Sequence, residues 1–155
     1  MSRVVEIPAS LDDRSFEQFA QAFALGSMTD RMVFDARAAQ WASPFGLLAM
    51  LTAGQAVREA GGPAPAFTVP LAEEVRRYWA RTGFFQHAAG LFDLKGRLPR
   101  VRPDEHSDVL LDVTPVRASE DVHAVVGKIQ EGAARILHGE LGLEAKATMG
   151  FAMAL

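Results

Sequence analysis

Three observations on the sequence predict an α/β fold with a mainly parallel or mixed sheet and flanking helices. Short β-prone runs alternate with helix patterns from Val4 to Leu94, an order that implies parallel strands joined by right-handed crossovers. The stretch Met32 to Gly62, MVFDARAAQWASPFGLLAMLTAGQAVREAGG, reads as strand, loop and helix in one piece. Composition supports a buried core: of 155 residues, 49% are apolar and 23% charged, close to globular averages.

In order, Val4, Val5 and Ile7 make a first short strand closed by Pro8, and Asp12, Asp13 and Ser15 offer caps for a helix. Phe16, Phe19, Ala20 and Phe23 follow at helical spacing, which predicts an amphipathic helix laid on a sheet and ending near Gly26. Arg31 to Ala36 is the second strand. Its Met32, Val33 and Phe34 run without alternation, so both of its faces are expected to be covered. Ser43 then caps a helix with Pro44 at its first position, and Gly61-Gly62 suits the exit. Phe45, Leu47, Leu48, Met50 and Leu51 lie on nearly every side of that helix, so its first half should be buried and its last turn wet. Ala66 to Val69 is a third strand. Pro70 leads into a helix in which Val75, Tyr78, Trp79 and Thr82 share a face before Gly83. Phe84 and Phe85 return to the core, and Leu91 to Leu94 is a fourth strand.

Residues 96–107, GRLPRVRPDEHS, bring prolines and mixed charge with few core candidates, the composition of a linker. Asp108 to Val113 is read as a further strand, and Ser119 as the cap of a long helix with Glu120 and Asp121 in its first turn. Val122, Val125, Val126, Ile129, Ala133, Ile136 and Leu137 form its apolar stripe. Gly139 and Gly142 stop it. Leu143 to Leu155 begins another helical pattern without a closing cap, charge or glycine, which reads as a fragment of a longer protein or an end that another chain covers.

Several chemistries are excluded. There is no cysteine, hence no disulfide framework, thiol nucleophile or Cys-ligated metal. A net charge of -3 gives no general attraction to nucleic acid; Lys95, Arg97, Arg100 and Arg102 are followed at once by Asp104 and Glu105 and read as a solvated segment. His87, His106, His123 and His138 lack metal-ligand spacing, so no metal is assigned. A Ser43, His87 and Asp35 triad lacks the G-x-S-x-G context, and neither common phosphate-cradling glycine motif occurs. No catalytic residue and no cofactor is therefore assigned. The N-terminus lacks the apolar core of a signal peptide, and the apolar runs fall short of the ~18 residues of a membrane span. A cytoplasmic protein is expected.

The succession VVEIP, a helix, MVFDARAAQWASPFGLLAML, AGG, AFTVP and VRRYWARTGFF resembles STAS domains, the fold of anti-sigma factor antagonists, over residues 1–95. In that family a strand ending in aspartate, here Asp35, leads to an Asp-Ser-Ser-Gly-like turn at a helix start. The matching positions are Ser43-Pro44-Phe45-Gly46, so Pro44 stands where the family carries its phosphorylatable serine. Residues 108–155 resemble the opening of a histidine-kinase-like ATPase domain of the anti-sigma kinase type, ending before the Glu and Asn that would handle magnesium and ATP. The resemblance implies a regulatory protein–protein interaction module in bacterial signalling, without the usual serine phosphorylation. Its contact face would hold Asp35, Trp41, Ser43, Pro44, Phe45 and Gly46. Its partner would be an anti-sigma-type kinase, its own ATPase domain or a second copy in a homodimer, with no nucleic acid and no membrane. The alternatives are the N-terminal part of an ATP-binding anti-sigma-type kinase and a small-ligand sensor.

Overall fold

β1 (Ser2–Glu6), β3 (Arg31–Asp35), β5 (Ala66–Thr68) and β6 (Asp93–Lys95) form one sheet of order β1-β3-β5-β6, with every pair parallel. The computed structural model describes residues 2–100, 113–139 and 142. The chain divides into two units, Met1–Glu105 and His106–Leu155.

The register sets Val5, Phe34, Phe67 and Leu94 in one row across the sheet. Val5, Phe34 and Phe67 are fully buried, and aromatic rings from three helices pack on them. Phe19 and Phe23 of α1 (Phe16–Ala24) meet Phe34, while Trp79 of α3 (Glu73–Arg81) and Phe84 of α4 (Phe84–Ala88) meet Phe67. Strand order explains this arrangement. The strands progress in one direction across the sheet, so successive right-handed crossovers lay the helices that connect them on the same side. The other side carries the rows Val4, Val33, Ala66, Asp93 and Glu6, Asp35, Thr68, Lys95. Val4 is exposed there and Val33 only half-buried, whereas Met32 and Phe34 are fully buried. The expectation that both faces of β3 are covered is thus corrected: burial alternates along the strand.

α2 (Pro44–Glu59) buries Gly46, Leu47, Met50, Leu51, Ala53, Gly54 and Val57. Burial therefore runs nearly the whole length of the helix on one side, rather than around its first half. Phe45 and Leu48 point out. The helix lies so close to the core that a Cβ at Gly54 would stand 2.4 Å from the Phe92 ring.

Three short elements are not among those the sequence predicts. β2 (Ser10–Leu11) pairs in parallel with β4 (Trp41–Ala42) as a short separate ribbon, inside what reads as loop. Phe84 and Phe85 return to the core as expected, but on α4, entered through Gly83 at φ 77°. α4 delays the last strand to Asp93–Lys95, two residues later than expected at its start, because the Phe92 N–H still bonds back to Ala88 O at 2.8 Å. α1 stops at Ala24, before Gly26.

In the second unit, α5 (Ser119–Gly139) starts differently from the expected Ser119 cap. The Asp121 carboxylate reaches back to accept from the backbone N–H of Arg117 at 2.8 Å and Ala118 at 3.1 Å; Ser119 is already helical. Along its stripe Val122 and Val126 are exposed, Val125, Ile129, Ile136 and Leu137 half-buried, and Ala133 buried. Val113 lies in no strand, and the rest of the expected strand at 108–113 and the helix at 143–155 fall outside the described residues.

Gly54→Ala tests the close approach of α2. Alanine is the better helix former by about 1 kcal/mol, yet its methyl would collide with Phe92. A net loss of about 1–3 kcal/mol is expected from overpacking, read by urea denaturation; a gain in stability would show that the helix moves away freely.

Candidate functional site

β3 ends at Asp35, and the chain passes through a turn and β4 to reach α2. The ribbon guides it: the N–H groups of Gln40 and Trp41 donate to Ala9 O at 2.8 and 2.9 Å, and Ser43 N–H donates to Leu11 O at 2.9 Å. Ser43, extended at φ -68° and ψ 163°, then caps α2 by accepting from the Gly46 N–H at 3.1 Å, with Pro44 in the first turn. The same hydroxyl lies 3.4 Å from Leu11 O and donates to it. Gly46 is required by this closeness, since a Cβ there would sit 2.2 Å from Leu11 O.

The expected contact residues divide into separate places. Asp35 points to the sheet face opposite the helices, in a row with Glu6 and Thr68. Its Oδ1 accepts from Arg37 N–H at 3.1 Å, Arg37 Nε at 3.0 Å and Thr68 Oγ1 at 2.8 Å, and its Oδ2 accepts from Arg37 Nη2 at 2.6 Å. The Arg37 guanidinium holds the carboxyl well below the usual carboxylate range against the opposing effect of partial burial, and the Arg37 N–H and Thr68 hydroxyl add to it. Asp35 is a fixed carboxylate. Trp41 is 49% exposed and stacks on Tyr78 of α3 with ring centroids 5.4 Å apart. Ser43 and Gly46 serve the turn itself.

Phe45 belongs to a different surface. Its ring meets Phe16 of α1 edge-on at 5.0 Å, and the two helices flank an apolar groove of about 460 Å³. Phe16, Phe19 and Phe23 line one side; Phe45, Leu48 and Thr52 line the other. Phe45 and Leu48 are 48% and 50% exposed. Thr52 brings the groove's one polar side chain, and its hydroxyl donates to Leu48 O at 2.9 Å. Nothing in the groove is arranged to bind a charged group; it can accept apolar surface.

Sequence reasoning missed the α1 half of this groove, together with Thr52 and Ala56, which lie beyond the expected contact face from Asp35 to Leu48. A signal was present: Phe45, Leu48, Thr52 and Ala56 recur at helical spacing, a second stripe beside the one that packs on the core. Among the described residues, no three of His, Asp and Glu gather in a group that could hold a metal ion. No described helix is long and apolar enough to cross a membrane. Lys95, from the basic segment, pairs with Asp93 at 2.6 Å. Compared with protein-family models, curated proteins and solved structures, the chain matches none.

Two substitutions test the turn and the sheet end. Ser43→Ala should cost about 1 kcal/mol as a lost cap, while Ser43→Asp, which can accept the same N–H, should hold its stability; equal effects of the two in thermal melts would remove the capping account. For Asp35, the folded carboxyl titrates below its usual value of 3.8, so its contribution is complete above about pH 5 and fades as pH falls. Asp35→Asn should cost about 1 kcal/mol at neutral pH, and its gap to the wild type should narrow in urea titrations repeated at about pH 3.

Proposed function

We propose that this chain is a regulatory protein–protein interaction module of bacterial signalling, related in kind to anti-sigma factor antagonists, and that it works without phosphorylation at the helix-start turn. The groove between α1 and α2 carries the reading: Phe16, Phe45 and Leu48 form a contiguous exposed apolar surface beside that turn, as surfaces that receive another protein do. An amphipathic partner helix fits such a groove by laying its apolar face between the two helices. The turn supports the same reading from the other side. Pro44 has no hydroxyl to phosphorylate, and the Ser43 hydroxyl is engaged at 3.1 Å with Gly46 N–H in the cap. The contact face is accordingly centred on Phe45 and extends to Phe16 and Leu48, with Trp41, stacked on Tyr78, and Asp35 outside it.

A second reading, a sensor for a small apolar ligand, draws on the groove's volume of about 460 Å³, which lies within the usual range for ligand pockets. One pair of variants separates the two. Phe45→Ala with Leu48→Ala should abolish capture of a partner protein that the wild type retains in affinity pull-downs, with both proteins equally folded by circular dichroism. Leu71→Ala, at an exposed site elsewhere, should leave capture intact. Capture that survives the double substitution would refute the proposed face. Stabilisation by an apolar small molecule, lost in the same variant, would favour the sensor.

A further inference from the structure

The two edges of the four-stranded sheet are built differently. β6 closes one edge with three residues, and its exposed Asp93 and Lys95 pair with each other at 2.6 Å. Charged side chains on so short a strand discourage the addition of another strand. β1, at the opposite edge, is five residues long and has β3 as its one strand neighbour among the described residues. Ser2, Val4 and Glu6 are exposed, Val4 by 54%. The strand's one cation gives no protection, because the Arg3 guanidinium turns back to donate to Phe23 O at 2.9 Å and Met32 Sδ at 3.0 Å.

The backbone of β1 is also directional. Ile7 N–H donates to Asp35 O at 2.9 Å, so by alternation along an extended chain the N–H and C=O groups of Val5 and Arg3 face β3. Those of Ser2, Val4 and Glu6 face outward. We propose that this edge pairs with the same edge of a second copy, antiparallel and centred on Val4, to make one continuous sheet through both copies.

The register follows from the sequence. With Val4 opposite Val4, Ser2 lies opposite Glu6, and all three outward-facing residues exchange N–H···O bonds. The valine side chains meet, and a serine hydroxyl lies across from each carboxylate. A shift of two residues sets Ser2 against Pro8, which has no N–H to give. A shift of four sets Glu6 against Glu6, a like-charge pair that destabilises the ladder. Among these registers, the one centred on Val4 pairs every outward-facing residue without a proline or a like-charge pair, which is why a second copy is its partner. This pairing is independent of the groove between α1 and α2.

The chain has no cysteine, so Val4→Cys introduces a single thiol. Opposed residues of a hydrogen-bonded antiparallel pair have Cα atoms about 5.5 Å apart, within disulfide reach. Mild oxidation should convert Val4→Cys to a covalent dimer, while Leu71→Cys, at an exposed site elsewhere, forms no covalent dimer at the same concentration. In sedimentation the wild type should run as a dimer. Val4→Lys, which sets two ammonium groups against each other, should run as a monomer with an unchanged circular dichroism spectrum. A monomeric wild type overturns the proposal, whether or not another protein's strand occupies the edge; so does a dimeric wild type whose Val4→Cys variant fails to cross-link. If Val4→Lys does not fold, the cross-linking of Val4→Cys against Leu71→Cys decides alone.

Discussion

The strands of this sheet are laid down in one direction, from β1 through β3 and β5 to β6, and most of the architecture depends on that. A parallel sheet whose order reverses receives helices on both faces and opens a crevice at the reversal, where such folds usually bind ligands. Here there is no reversal among the described strands. The helices α1 to α4 share one side, the core of this unit is the single layer between them and the row Val5, Phe34 and Phe67, and the opposite face carries mixed polar and apolar residues. Function is therefore sought on the helices and at the sheet edges.

The same constraint gives the turn at Ser43 its character. α2 must come down onto β2 closely enough that only glycine fits at position 46, and the serine hydroxyl is used to hold that approach. Its hydrogen bonds make the turn a support for the start of α2. What it supports is the outward display of Phe45 opposite Phe16. Asp35, on the far face of the sheet, is held by Arg37 and Thr68 and steadies the end of β3.

Much of the fold was legible because its signals were long or chemically specific. Ser43-Pro44 marked the start of α2, and Phe16, Phe19 and Phe23 marked α1 at their helical spacing. The ribbon of β2 and β4 has two residues per strand, too few to show any period. α4, at five residues, is shorter than a recognisable amphipathic repeat. Val33 misled because a run of three apolar residues does not say how many sides of a sheet are covered; strand order decides that, and strand order depends on pairings far apart in sequence. The site was only half legible for a related reason. Phe45 stands on the expected contact face, but Phe16, Phe19 and Phe23 look like core residues until the position of α2 is known, since an apolar side chain facing a neighbouring helix and one facing the sheet have the same chemistry.

The aromatic placement has an optical consequence. The chain holds two tryptophans and one tyrosine. Trp79 is sealed in the core beside Phe67 and Phe84, whereas Trp41 lies half in solvent against Tyr78, close in sequence to the turn that displays Phe45. Their emission differs accordingly. Light from Trp79 follows the integrity of the core, and light from Trp41, quenchable from solution, follows its stacking on Tyr78. Loss of the core and loss of the Trp41–Tyr78 stack can thus be distinguished in one unlabelled sample.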